Sequence, residues 1–376
     1  MCRIVSQGTV VGSRPKGDDS SCAFPGLCVL PKGRWLCFYR AARTKSEVAV
    51  QTTRLTWSDD EGKSWSSSTE PFIAPNLAGK AGRFRAGQPA SLGANRVVTV
   101  LYWVDASDPN LPFFNEQTQG LLDSKIMLSF SEDNGETWSS PCLVDTSPFH
   151  QPTPITGPIL LLPDGRWILQ FELNKPYDDL SEWRHSSVLM FSRDEGKSWP
   201  EHAIASHDPA NRIFYWDQRP SVLSDGALFD LFWTYDNANG SYLNIHARTS
   251  RDGGRTWSEI WDTGVSGQPA PAVPLRDGRL AMVYVDRTAE PIIKMRTSSD
   301  KGRSWPAGTE MVVYREETVS QTVRKHSMQD AWSEMGKFSI GLPATARTAG
   351  GDIVTVFYAG PATDQTDVKY CRIRCS

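Results

Sequence analysis

The sequence predicts an all-β fold, a six-bladed β-propeller of four-stranded antiparallel blades, with residues 1–376 as a single domain. Three observations predict it. The octapeptide Ser-x-Asp-x-Gly-x-Ser/Thr-Trp occurs five times, at 58–65, 131–138, 192–199, 250–257 and 298–305. A turn followed by an apolar run occurs six times, at 32–38, 95–101, 164–170, 225–231, 277–283 and 351–356. The unit that contains the last of these runs ends in Val368–Arg374 without an octapeptide, and Arg3–Val10 is a free strand-like segment at the other end of the chain.

Each element follows from local chemistry. The octapeptide is hairpin chemistry: Asp and Ser side chains accept backbone N–H bonds within a tight turn, Gly supplies a left-handed conformation, and Trp offers an apolar plate. Short alternating runs such as Lys125–Phe130, Ser187–Phe191, Leu243–Ala247 and Ile292–Arg296 precede it, so the octapeptide joins a third strand to a fourth. The six turn-plus-apolar segments are second strands, and a short β-like stretch before each, often opening at Pro, is the first. Four strands then recur with a period of roughly 50 to 70 residues, the signature of a propeller blade. Five octapeptides and six second strands leave the sixth unit one strand short. Arg3–Val10 is expected to supply it and close the ring, because an open ring leaves sheet edges and apolar blade faces exposed.

Bulk properties narrow the function. A chain that is 39% hydrophobic and 22% charged, with a formal net charge of −3, carries no sign of a nucleic-acid partner. No segment approaches the length of apolar chain that spans a membrane, and no basic stretch followed by an apolar run and a cleavage site stands at the N-terminus, so a soluble cytoplasmic protein is expected. The seven cysteines contain no CxxC and no paired metal spacing. Free thiols are the simpler reading. Two exceptions stay open: Cys22, Cys28 and Cys37 lying near one another, and Cys2 approaching Cys371 or Cys375 where the chain ends meet. No phosphate-cradling glycine loop, HExxH or GxSxG is present, so no cofactor or metal is expected.

The repeats are similar to the Asp-box, or BNR, repeats of the sialidase/neuraminidase superfamily, and this resemblance covers almost the whole chain. It implies a propeller with a carbohydrate site on one face. It also implies a substrate-gripping arginine triad and a Tyr nucleophile paired with Glu. The chain departs from that pattern at Cys22–Leu27, where the first arginine is missing, at Gly267–Pro271, where another is missing, and at Phe338–Pro343, where no tyrosine stands. What the resemblance then implies is a glycoside hydrolase, exo-acting on a non-standard sugar, with acidic sugars among the candidates, rather than an ordinary exo-sialidase. Two alternatives remain open: a lyase acting on uronate-containing glycans, with Arg neutralising the carboxylate and Tyr or His taking the proton, and a carbohydrate-binding propeller without catalysis.

Strand direction places the site. If the octapeptide turns lie on one face, the loops joining second to third strands and the starts of first strands lie on the other. Second strands end there at Arg40 and Arg43, Asp105, Glu172, Tyr235 with Asp236, Asp286 with Arg287, and Tyr358. First strands start there with Arg85 and Gln88, Trp216 to Arg219, and Gln268. Two carboxylates across an axial pocket suit glycosidic cleavage, one protonating the departing oxygen and the other acting as nucleophile or base. Glu172, Asp105, Asp217, Asp236 and Tyr235 are the catalytic candidates. Arg43, Arg85, Gln88, Trp216, Arg219, Gln268, Asp286, Arg287 and His185 are the substrate-binding ones. Trp103, Trp183 and Trp233 are further planes for a sugar ring. The inserts 106–123, 174–185 and 315–337, the last carrying His326, Asp330 and Glu334, are candidate functional loops.

Overall fold

The computed structural model describes residues 2–316 and 336–376; the candidates His326, Asp330 and Glu334 lie outside the described residues. The architecture is an all-β propeller in which, among the described residues, the one short helical turn is Ala307–Thr309. Among the described residues the strands form five hydrogen-bonded sheets. Four are built in chain order around the second strands Arg96–Asp105, Trp167–Leu173, Leu228–Asp236 and Leu280–Asp286. The fifth has seven strands and joins the two ends of the chain. Ile340–Arg347, Ile353–Ala362 and Gln365–Cys375 pair in sequence, and Cys2–Val11 then pairs antiparallel with Gln365–Cys375, from Cys2 opposite Cys375 to Val11 opposite Val368. The other half of that sheet, Ser21–Val29, Trp35–Ala42 and Thr52–Ser58, is attached by one parallel pairing of Ser21 with Thr366. The N-terminal segment therefore takes the place expected of it. Of the cysteine alternatives, Cys2 and Cys375 form a disulfide and Cys22, Cys28, Cys37, Cys142 and Cys371 are free thiols.

All five octapeptides form the same turn. In the first, Ser58 Oγ accepts the Gly62 N–H (2.8 Å) and donates to Asp60 Oδ1 (2.9 Å), while Asp60 accepts the Ser64 N–H (2.9 Å) and hydroxyl (2.6 Å). Gly62 has φ +87°, and a Cβ there would stand 2.8 Å from the Trp35 ring and 2.9 Å from the Tyr370 ring, so the position needs glycine for conformation and for room. The later turns lean on the preceding sheet in the same way: a Cβ on Gly302 would meet the Phe229 ring at 2.4 Å. The turns thus dock neighbours as well as connect strands.

Burial between sheets, and between the two halves of the seven-stranded one, supplies most of the stabilisation, because each has two apolar faces that must be covered. Val98, Ile126 and Leu128 face Leu169, Phe171 and Val188; Phe229 and Leu231 face Met282 and Tyr284; Val283 and Met295 face Ile353 and Phe357; Cys37 and Tyr39 face Val354 and Tyr370. Comparable layers join Phe38 and Leu55 to Val97 and Leu101, and Leu189 and Phe191 to Leu228.

Candidate functional site

A cavity of about 580 Å³ opens at the strand ends remote from the octapeptide turns. Its position follows from register: in the pair Trp167–Leu173 and Ser186–Ser192, Glu172 stands opposite Ser187 at the cavity end, while Trp167 stands opposite Ser192, where an octapeptide begins. The innermost strands are interrupted where they reach it. Phe24, Asp217 and Leu342 take left-handed φ values of +52°, +51° and +47°, and the pairing register slips at Arg85 and at Leu342–Pro343. Such breaks turn side chains out of a pleat and toward the axis. Phe24, Arg85, Asp217 and Leu342 all line the cavity as a result.

One side of the cavity is cationic. The Arg85 guanidinium lies over Phe113 (4.3 Å) and Phe24 (5.1 Å) and donates to Gln51 Oε1 (3.0 Å). Behind it Arg40, fully buried, donates to the same Gln51 oxygen (2.6 Å) and to the carbonyls of Lys45 (2.9 Å) and Thr44 (3.1 Å), which fixes the loop carrying Lys45. The Lys45 ammonium donates to the Phe338 carbonyl (3.0 Å) over the Tyr358 ring. Burial, then the charges of Arg287, Arg85 and Arg40, hold its pKa well below the usual lysine range. Arg287 lies 4.0 Å over Phe338 and donates to Gln268 Oε1 (2.8 Å) and the Ile340 carbonyl (2.9 Å). Gly341 makes that placement possible, since a Cβ there would stand 2.1 Å from Arg287 Nη2. Burial pushes the Tyr358 hydroxyl up to about 12 against the opposing pull of Arg287.

The other side is acidic. Glu172 Oε1 accepts the backbone N–H of Asp217, and Glu172 Oε2 stands 3.6 Å from His185 Nε2. Asp217 Oδ2 accepts from Gln268 Nε2, and Asp217 Oδ1 stands 3.4 Å from Arg219 Nη2, whose Nη1 is held by the Thr156 carbonyl. Gln268 therefore bridges the two sides, and one polar chain runs Arg287–Gln268–Asp217–Glu172–His185. The walls are aromatic, with Trp183, Trp216 and Trp233 contributing. Inserts 106–123 and 174–185 are tied together by Asn115 Nδ2 to the Tyr177 carbonyl (3.0 Å) and the Leu121 N–H to the Lys175 carbonyl (2.9 Å), and they present Phe113, Phe114 and Trp183 to the cavity.

Of the sequence candidates, Glu172, Asp217, Arg85, Gln88, Trp216, Arg219, Gln268 and Arg287 meet in this cavity. Six do not line it. Asp105 is engaged by Lys80 (3.2 Å) and the Ser107 N–H (3.0 Å). Asp236 is engaged by Arg212 (2.7 Å) and Asn239 (2.8 Å), and Asp286 by Lys294 (2.9 Å) and Thr288 (2.7 Å). Each of these carboxylates is consumed by its own strand end. Arg43 faces outward and pairs with Asp18 at 2.7 Å. Tyr235 is buried against Trp216, its ring stacked at 4.8 Å, and braces the wall from behind. His185 is buried behind Glu172. Trp103 is likewise structural, its Nε1 donating to the Pro75 carbonyl (2.9 Å). Lys45, Phe24, Phe113, Phe338 and Leu342 were not among the candidates; the Phe24-Pro25 and Leu342-Pro343 steps were the available signal for Phe24 and Leu342.

A family model described as a BNR repeat-like domain matches residues 90–310. Among solved structures, a protein of unknown function from Dyadobacter fermentans is 18% identical over 100% of this chain and 99% of its own, with a TM-score of 0.76. The intramolecular trans-sialidase of Ruminococcus gnavus, solved in complex with oseltamivir carboxylate, is 15% identical over 96% of each chain, with a TM-score of 0.60. The NanB sialidase of Streptococcus pneumoniae is 13% identical over 98% of this chain and 70% of its own, with a TM-score of 0.64. At these identities the likeness is one of fold. No curated protein matches the chain by sequence.

Proposed function

For a chain that belongs to the BNR repeat-like domain family and has a sialidase-like propeller fold, we propose a glycoside hydrolase that takes the terminal residue of an acidic glycan into the axial cavity. The observation that carries this reading is the Glu172–Asp217 couple facing Lys45, Arg85 and Arg287 within one aromatic-walled cavity. In the proposed reaction Glu172 protonates the departing oxygen, and Asp217, which accepts from Gln268 and faces Arg219, is the nucleophile or the base for water. The guanidinium groups of Arg85 and Arg287 bind the sugar's anionic group, for which guanidinium forks over aromatic rings are suited. The wall formed by inserts 106–123 and 174–185 closes one side, which favours a chain end over a chain interior.

The same reading takes residues 1–376 as one domain of six blades. Its support is the division of the seven-stranded sheet into two groups attached through one parallel pairing, together with six apolar layers joining successive groups. The test of function is a panel of aryl glycosides and acidic oligosaccharides, sialosides included. Release of a reducing sugar that Glu172→Gln abolishes, with the variant still folded, is the expected result. An ultraviolet-absorbing unsaturated product would replace the hydrolase with a lyase, and saturable binding without turnover would replace it with a binding propeller.

A further inference from the structure

The side chain of His185 is 1% exposed, and neither ring nitrogen makes a hydrogen bond among the described residues. Phe214 stacks on the ring at 5.7 Å and 25°, and Trp183 meets it edge-on at 5.9 Å. A buried imidazole walled by aromatic rings is unfavourable unless its polar atoms serve a partner. The contact recorded for a ring nitrogen is Glu172 Oε2, at 3.6 Å, which is an ion-pair distance rather than a closed hydrogen bond. The other Glu172 oxygen is already held by the Asp217 N–H. One carboxyl group is therefore clasped by a backbone donor on the cavity side and approached by an imidazole on the core side.

We infer that His185 is a positioning residue for Glu172: its Nε2–H is held behind the carboxyl group and donates to the carboxylate that forms there. This rests on the reading of Glu172 as the acid. When Glu172 gives its proton to the departing oxygen, His185 keeps its own and donates to the carboxylate that results. Around the pair, Asp217 gives its N–H to Glu172 and faces Arg219 at 3.4 Å, Tyr102 turns its hydroxyl to Ser124 (2.9 Å), and His207 Nδ1 lies 3.1 Å from the His185 carbonyl rather than from its ring. Lys175, on the loop leading to His185, donates to the Ser181 carbonyl. Glu172 is thus the partner within reach of the ring.

The experiment is nuclear magnetic resonance of the unliganded full chain with isotope-labelled histidine, in the wild type and in Glu172→Gln, followed by pH–rate profiles of His185→Gln and His185→Phe. The expected spectrum has the His185 ring protonated at Nε2, with signals that move in Glu172→Gln. The expected kinetics are a kcat loss of roughly 100-fold in His185→Phe at little-changed KM with an altered pH profile, and partial recovery in His185→Gln, which retains a donor. A His185 ring protonated at Nδ1, or unaffected by Glu172→Gln, overturns the inference, as does a wild-type pH profile in His185→Phe. The spectrum needs no substrate, so a protein silent toward every glycan would sink the hydrolase reading while the His185–Glu172 contact is still decided.

Discussion

Replacing Gln268 by leucine removes the bridge between the cationic and acidic sides of the cavity while changing side-chain volume little. Gln268 is 4% exposed, its Nε2 donates to Asp217 Oδ2, and its Oε1 accepts from Arg287 Nη1 at 2.8 Å. Both bonds involve a charged partner, and such bonds contribute about 1.5–3 kcal/mol each. Losing both costs about 3–6 kcal/mol at face value. Arg287 keeps the Ile340 carbonyl and its place over Phe338, and Asp217 keeps Arg219, so part of that is recovered. The expected loss is about 2–4 kcal/mol in chemical denaturation, with the slope of the transition unchanged. Gln268→Glu keeps an acceptor for Arg287 but sets a second carboxylate against Asp217, so it should not restore wild-type stability. A Gln268→Leu protein within about 0.5 kcal/mol of wild type would refute the bridge as a determinant of the site.

Three further outcomes follow from particular contacts. The turn carboxylates Asp60, Asp194, Asp252 and Asp300 have pKa values lowered from 3.8 to about 2, with turn hydroxyls and N–H groups as the lowering cause. A folded pKa below the unfolded one gives stability that is present above pH 3.8 and lost as the pH falls toward about 2. Thermal unfolding against pH should therefore show Asp300→Asn less stable than wild type at neutral pH, with the gap closing across that window; a constant gap would contradict the turn's electrostatic role. Gly341→Ala should leave the fold intact but displace Arg287, whose Nη2 lies 2.1 Å from the position of the added Cβ. Calorimetry with an acidic sugar should show affinity lowered about 10-fold, and undiminished affinity would remove Arg287 from the binding site. Cys375→Ser opens a linkage between residues 373 apart in sequence. It should cost about 2–5 kcal/mol, matched by reductant on the wild type, and equal melting of the oxidised and reduced protein would show that the Cys2–Val11 strand closes the ring unaided.

The all-β propeller was legible because its chemistry is local. A turn such as Ser58–Trp65 carries its own acceptors, its own glycine and its own plate, so eight residues declare a hairpin without reference to the rest of the chain. The closing strand was legible by arithmetic, from one unit lacking an octapeptide. The site was legible only in part, because occupying the same place on successive strands does not decide a side chain's partner. Asp105, Asp236 and Asp286 end their strands as Glu172 does, yet Ser107, Asn239 and Thr288, two or three residues further on, claim them. The sequence alone does not separate the three from Glu172, because Asn174 stands two residues after it and turns its Oδ1 to the Lys175 N–H instead. Lys45 had no such signal: Arg40 brings it in through carbonyl contacts that no spacing encodes. The pairing of Cys2 with Cys375 became decidable only once the two ends of the chain lay side by side.

The central claim is that Glu172 and Asp217 cleave an acidic sugar held by the cations opposite. Its most direct test is the initial rate on acidic oligosaccharides for the wild type, Glu172→Gln and Asp217→Asn, each confirmed as folded. The account predicts sugar release by the wild type and losses of about 100-fold or more in either variant. Turnover that survives both substitutions would contradict it.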